Sequence, residues 1–285
     1  MKSNLIINFL RLIKRKLRSG IRSTRKLLHI NYTKISITDN KYKFLVPDDL
    51  ITFFRKGEYY EQNVIYFFDK IVKSYHNPVM IDVGASCGYY SIRYSNFCKQ
   101  IFSFEPVSKT YKFLDKNIKI NFIKNIKPLK IGLSDSNEEK TINLYNSSAN
   151  NSIFERKMTK DNSLKKIGVE TIILKNLDEL VEKREVAVPD IIKADVEGAE
   201  LQFLNGSKKT ISQYRPTVIL EYSDKTTKDA GYDREALLDV LELTNYHIYG
   251  IPEDVVDFQL IKMEDFNKRS IADIIFIPAE LDSYL

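Results

Sequence analysis

The spacing of apolar residues changes several times along this chain, and each change marks a predicted element. Between residues 4 and 18, Leu5, Ile6, Phe9, Leu10, Ile13 and Leu17 recur at helical spacing, with Arg11, Lys14, Arg15 and Arg18 on the other side. That pattern predicts an amphipathic helix with one basic face, and Ile7 and Lys16 fall outside it. Residues 35–46 alternate, predicting a short hairpin that turns at Asp39-Asn40. Residues 58–75 return to helical period, with Val64, Ile65, Phe67, Phe68, Ile71 and Val72 as the apolar face. His76-Asn77-Pro78 ends that helix, because proline cannot continue it.

From residue 79 onward strands and helices alternate. Strands are predicted at 79–83, 101–104, 126–131, 190–194, 217–220, 246–251 and 271–277. Helices are predicted at 89–97, 108–117, 177–183, 200–214 and 235–243. Two extra strands, 140–145 and 169–174, flank the polar run Asn146–Asn151. Alternation of this kind predicts an α/β fold with a mostly parallel, doubly wound sheet. The expected organisation is an N-terminal extension over 1–34, a hairpin and helix over 35–77, and the α/β domain over 78–285. Ligands of such sheets bind beyond the carboxyl ends of the strands, near the topological switch point. The residues that directly follow each strand therefore carry the functional reading.

Composition changes this picture in one place. The chain has 285 residues, enough to bury a sizeable core, and 43% of them are hydrophobic. Its 44 Lys and Arg against 38 Asp and Glu give a net charge of +6. Nine of those basic residues and no acid stand within residues 1–28, so the body is slightly acidic. That argues against a broad nucleic-acid surface on the body. The basic segment suits an anionic membrane surface, the protein's own body or a partner. No apolar run is long enough to span a bilayer, and the apolar stretch near the start lacks the marks of a signal peptide. Two cysteines, Cys87 and Cys98, make no disulfide framework, and a cytoplasmic setting follows, peripheral at the inner membrane face if the segment binds there. High Lys, Asn and Ile usage fits a bacterial source.

Five strand ends carry candidate chemistry. After the first lies Asp82-Val83-Gly84-Ala85-Ser86-Cys87-Gly88. Two glycines with small neighbours let a backbone pass close to a ligand, and a helix follows with its N-terminus toward it. The spacing is not that of a dinucleotide fingerprint. It resembles the acid-x-Gly-x-x-x-Gly loop of Rossmann-like methyltransferases, in which the acid and the glycines hold the amino-acid end of S-adenosylmethionine. After the second strand comes Phe104-Glu105-Pro106, whose carboxylate can accept from both ribose hydroxyls. Ser134-Asp135, after the third, stands where adenine would be contacted. The fourth strand end concentrates Lys193, Asp195, Glu197 and Glu200 among apolar neighbours that keep the patch dry. Lys193 and Asp195 share a face, and Glu221 ends the fifth strand. A purely structural account has Glu200 capping its helix and Lys193 pairing with a neighbouring acid.

The set Ile81-Asp82-Val83-Gly84-Ala85 with Gly88-Tyr89-Tyr90, Phe104-Glu105-Pro106, Leu133-Ser134-Asp135, Lys193 to Glu200 and Glu221 resembles the FkbM-type methyltransferase family in order and spacing, over residues 78–223. The resemblance implies a Rossmann-like fold and S-adenosylmethionine as cofactor. Asp82, Gly84, Ala85, Ser86, Gly88, Tyr89, Glu105, Pro106, Ser134 and Asp135 would be on the cofactor. It also implies O-methylation of a sugar, surface glycan or related metabolite. Tyr145–Phe154 resembles the family's polar insertion near the acceptor. The family often has a His soon after the fifth-strand Glu. Here Tyr222-Ser223 follows, so no fixed general base is implied.

A hydroxyl acceptor must lose its proton as it attacks, and Asp195, Glu197 and then Glu221 are the candidates, with Lys193 beside them. An Asp at that strand end can also take a divalent cation, and the residues leave a metal open. Rival readings are an inert membrane-associated scaffold, a ribose 2′-hydroxyl RNA methyltransferase using Lys193, Asp195 and Glu221, and an NAD-dependent dehydrogenase. The loop with Glu105 opposes the first, the acidic body the second, and the glycine spacing the third.

Overall fold

The computed structural model describes residues 32–37, 41–51, 61–157, 163–242, 245–253 and 259–284. The basic segment over 1–28, the Asp39-Asn40 turn and the start of the helix predicted at 58–75 lie outside the described residues. Strands β1 (Tyr32–Ile37) and β2 (Tyr42–Pro47) pair antiparallel as the expected hairpin. Helix α1 (Gln62–Ser74) buries the predicted face, Val64 through Val72.

The core that follows is β3 (Val79–Val83), α2 (Tyr89–Tyr94), β4 (Gln100–Phe104), α3 (Ser108–Ile120) and β5 (Ile126–Leu129). Next come β6 (Gly132–Leu133), β7 (Glu138–Tyr145) and β8 (Lys166–Lys175). The chain then runs through α4 (Leu177–Glu182), β9 (Ile191–Ala194), α5 (Glu200–Asn205), α6 (Lys208–Tyr214) and β10 (Thr217–Glu221). It ends with α7 (Asp224–Ala230), α8 (Ala236–Glu242), β11 (Tyr246–Pro252), β12 (Ile261–Lys262) and β13 (Ile271–Pro278).

Eight strands form the main sheet in the order β12-β11-β13-β10-β9-β3-β4-β5. The five from β10 to β5 are parallel, and β13 joins β10 antiparallel. The chain leaves β3 toward β4 and β5, then returns to β9 and β10 on the other side. The switch point therefore lies between β3 and β9. Helices cover both faces, which explains why the strands read as unbroken apolar runs. Met80, Ile101 and Ile191 face a core with α1, α2, α3 and β2, whereas Ile81, Phe102 and Ile192 face one with α4, α5, α6 and α8. Each fully buried Ile or Phe contributes about 1.5–3 kcal/mol.

Two expectations need correction. The helix predicted over 200–214 is two helices, α5 and α6, broken at Gly206-Ser207. A Cβ on Gly206 would stand 1.9 Å from the Ser134 carbonyl oxygen, so the chain bends there to make that contact. The Ser207 hydroxyl satisfies the Phe203 carbonyl at 2.7 Å. The strand predicted over 126–131 also divides. Its first half, β5, edges the main sheet. Gly132-Leu133 then pairs with β8 in a separate sheet of order β6-β8-β7. That small sheet, with the loop between β7 and β8, is an insert beside the carboxyl ends of the core strands.

Candidate functional site

Asp82, at the end of β3, is buried and accepts from Ser91 of α2 through both the backbone N–H, at 3.1 Å, and the hydroxyl. It ties the strand end to the helix behind the glycine loop. Burial pushes its carboxyl up to about 6, against the Ser91 bonds and the charge of Lys193. The loop then turns with Gly84 at φ 79, Ser86 at φ 50 and Gly88 at φ 90. Gly84 is dictated by more than its φ. A Cβ there would meet the Asp195 carbonyl oxygen at 1.9 Å, so the β3 and β9 loops touch backbone to backbone.

Glu105 closes the other side. Its Oε2 accepts from the Ser86 N–H at 2.9 Å, and its Oε1 accepts from the Val107 N–H at 2.8 Å and the Thr110 hydroxyl at 2.7 Å. Three of the roughly four lone-pair positions are used, which leaves room on Oε2 for a further donor. Burial raises its carboxyl to about 7 against those bonds.

These residues line a cleft with Asp82, Gly84, Ala85, Ser86, Tyr89, Glu105 and Pro106 on its walls, and Lys193, Asp195 and Glu197 on the β9 side. Gly88 stands behind it, packed toward Leu114. Ser134 and Asp135, read as adenine contacts, are not among the lining residues. Ser134 is buried against Gly206 and donates its N–H to the Lys175 carbonyl. The apolar wall is instead Val107, Ile142 and Ala149, with Leu50 from the hairpin segment. Ala149 and its neighbours Ser148 and Asn151 come from the polar loop of the insert. No strand-end pattern marks Leu50 or Ile142, so sequence reasoning missed them.

A second cleft, of about 880 Å³, lies on the other side of β9. Its acids are Glu61, Asp195, Glu221, Asp224, Glu253 and Asp273, with Tyr222 and Arg234 beside them. Asp195 is the one described residue that lines both clefts. Lys193 is buried under this wall, 3.6 Å from Asp195 and 3.4 Å from Asp273, with its ammonium over the Tyr90 ring. Burial works against its charge, but the two carboxylates outweigh that and hold it protonated. Burial, then Asp195 and Glu197, raise the Glu221 carboxyl well above the usual range. Burial also pushes Asp273 up to about 7, opposed by Lys193. Asp273 faces Glu221 across the β10–β13 pairing. Nothing in the sequence marks it, because 80 positions separate it from Lys193.

Glu197 holds a left-handed φ of 56, a strained conformation for a residue with a side chain, and Gly198 follows at φ 100. A Cβ on Gly198 would stand 2.7 Å from the Thr226 carbonyl oxygen. Glu200 accepts from the N–H groups of Val196 and Gly198 at 2.9 and 3.0 Å, so it holds this tight turn rather than facing a ligand. Among the described residues no group of three or more His, Cys, Asp or Glu is placed to hold a metal ion. No described helix is long and apolar enough to cross a membrane.

Comparison with known proteins gives a match to the methyltransferase FkbM domain over residues 79–248. Methyltransferase sdnD of Sordaria araneosa is 25% identical over 192 residues, which cover 55% of this chain and 74% of that protein. The hexuronic acid methyltransferase AglP of Haloferax volcanii is 28% identical over 172 residues, covering 59% of this chain and 65% of its own length. The crystal structure of an FkbM methyltransferase from Methylobacillus flagellatus aligns at 17% identity and a TM-score of 0.46, over 70% of this chain and 44% of that one.

Proposed function

Since this chain belongs to the FkbM methyltransferase family and is an S-adenosylmethionine-dependent methyltransferase, we propose that it methylates a hydroxyl of a sugar, glycan or related metabolite. The observation that carries the reading is the position of Asp195 on both clefts. A methyl held in the first cleft has to leave past Asp195 to reach an acceptor in the second. The hexuronic acid methyltransferase among the relatives supports a sugar-like acceptor.

In this reading the loop Asp82–Gly88 and Tyr89 border the amino-acid end of the cofactor. Glu105 offers Oε2 to a ribose hydroxyl, and Pro106, Val107 and Ile142 give adenine an apolar wall. When bound, S-adenosylmethionine supplies an electrophilic methyl on a sulfonium. The residues here must bring the acceptor oxygen to about 3–3.5 Å in line with it. Asp195 would accept the proton of the acceptor hydroxyl, with the methyl group supplied and the leaving thioether carried by the bound cofactor. Lys193 fixes the Asp195 carboxylate and, being held protonated, is not the base. Glu221, on the same wall, orients the acceptor or takes the proton next.

The test is titration calorimetry of the full chain with S-adenosylhomocysteine, followed by methyl transfer to a panel of neutral, amino and uronic sugars. Micromolar binding is expected. Glu105→Gln should weaken it about tenfold by removing a charged acceptor. Glu105→Ala is the poorer probe. It also orphans the Ser86 and Val107 N–H groups, so it lowers melting as well, unlike a residue that only holds ribose. Unchanged affinity in Glu105→Gln removes the ribose assignment. Transfer to none of the sugars by a cofactor-binding chain removes the acceptor class.

A further inference from the structure

Outside the residues used above, a buried arginine stands behind the wall of the cofactor cleft. Arg156 follows the polar loop of the insert, and its side chain is 1% exposed. Its guanidinium donates to the Glu197 carboxylate, and its Nε donates to the Asn150 carbonyl at 3.4 Å. Its backbone N–H donates to the Tyr145 hydroxyl at 2.8 Å. A second bond joins the same two segments, from the Ser152 hydroxyl to the Glu197 carbonyl at 2.8 Å. Side chain and backbone of residue 197 are therefore both gripped by the insert. We propose that Arg156 is a positioning residue, which fixes the Glu197 carboxylate on the wall of the cofactor cleft and latches the insert over that cleft.

Three features point to positioning rather than to packing alone. Glu197 lines the cleft in a left-handed conformation, in a turn that Glu200 holds from one side and the insert grips from the other. The segment that carries Arg156 also brings Ser148, Ala149 and Asn151 to the same cleft, so one latch orders both walls. The guanidinium also has a choice of partners. Asp229 of α7, with a side chain 4% exposed, stands 3.8 Å from its Nη1, outside hydrogen-bond reach, and among the described residues neither Nη1 nor Asp229 Oδ2 has a hydrogen-bond partner. The fold sets Arg156 between two carboxylates and spends its close contact on the one that faces the ligand. A buried arginine costs several kcal/mol to desolvate, and burial between two acids offsets that.

The inference rests on assigning the first cleft to the cofactor, and the test separates the two. The probes are S-adenosylmethionine and S-adenosylhomocysteine, titrated by calorimetry into the full chain from pH 6 to 9. The variants are Arg156→Gln, Arg156→Lys, Glu197→Gln and the Arg156→Gln/Glu197→Gln pair. The charges facing Glu197 are Asp195 at the end of β9, Glu200 on α5, Lys225 on α7, Glu221 at the end of β10 and Arg156 itself, with Asp229 behind it. Asp82 and Glu105 titrate in the same window, so each profile is compared with that of the wild type.

Arg156→Gln is expected to weaken S-adenosylmethionine about tenfold at pH 7, because it takes from the half-buried Glu197 carboxylate the partner that fixes it on the cleft wall. Burial and Asp195 already push the Glu197 carboxyl upward and Arg156 opposes them. Without Arg156 the proton stays on to higher pH, and affinity should recover as pH rises. Arg156→Lys should restore most of the affinity. In the Glu197→Gln background, Arg156→Gln should add less than about twofold. Equal binding by Arg156→Gln at every pH overturns the proposal. So does an undiminished tenfold loss in the Glu197→Gln background, which would mean that Arg156 acts through packing. Should Arg156→Gln not fold, Glu197→Gln decides, since it must reproduce the tenfold loss without the recovery at high pH. Absence of binding by the wild type removes the cleft assignment and this inference together. Binding by the wild type with an indifferent Glu197→Gln removes this inference alone.

Discussion

The two clefts that meet at Asp195 are built in opposite ways. The polar groups of the first come mainly from three short strand-end runs, Asp82–Tyr90, Glu105–Thr110 and Lys193–Glu197, the first two held to each other by the Ser86–Glu105 bond across 19 positions. The second gathers Glu61, Asp195, Glu221, Arg234 and Asp273, from a helix entry, three strand ends or edges and a late loop. The first is an arrangement of backbone with a few acids aimed by it. The second is an arrangement of side chains on a shared wall. Backbone geometry is dictated locally, by glycines and strand ends, so a short motif can specify it. A wall of side chains exists only when distant segments pack.

Gly84→Ala should show the largest effect. The added methyl meets the Asp195 carbonyl oxygen, in a backbone region alanine avoids, so the cost is on the order of 3 kcal/mol or more. Because that contact joins the two clefts, cofactor binding and denaturant midpoint should fall together. A variant with the wild-type midpoint would show that the β3 and β9 loops do not touch as described.

Asp195→Asn should lower methyl transfer far more than cofactor binding, although Asp195 borders both clefts. Methyl transfer to an accepted sugar is expected to drop by about 100-fold or more, as loss of a general base does. S-adenosylhomocysteine affinity should stay within about threefold. Equal losses in binding and transfer would mean that Asp195 serves to hold the cofactor and does not take the acceptor proton.

The smallest effect concerns what the clefts share, namely buried acids. Burial raises Asp82 to about 6 and Glu105 to about 7 in the first cleft, and Asp273 to about 7 in the second. An acid that holds its proton more tightly when folded stabilises the fold below its unfolded pKa, about 4. That contribution is lost as pH rises through 6 to 7. The unliganded chain should therefore melt a few degrees higher at pH 5.5 than at pH 8. Glu105→Gln should flatten part of this slope. A melting temperature that rises toward pH 8 would contradict the burial of these acids.

Much of the fold was legible, because amphipathic and strand periods survive packing. The pairs β3 with α2, β4 with α3 and β7 with β8 stand where the apolar pattern placed them. The exceptions have local causes that lie elsewhere in the chain. Helix 200–214 breaks because Gly206 must touch Ser134, and β5 ends early because Gly132-Leu133 pairs with β8. Among candidate site residues, Asp82, Gly84, Glu105, Lys193, Asp195 and Glu197 were legible at strand ends and come together on one cleft. Ser134 and Asp135 follow a strand that turned away from it. Glu221 was legible, but it faces the second cleft and not the first.

By itself the sequence determined the alternating α/β order, the glycine loop and the acids that follow the strands. Each depends on periodicity or backbone conformation within a few residues. Only the tertiary structure decided that Asp195 stands on two clefts, that Asp273 pairs with Lys193, and that Arg156 reaches Glu197 from the insert. Those relations join segments tens of positions apart. Charge pairing in a dry interior depends on distance in space, which no spacing along the chain encodes.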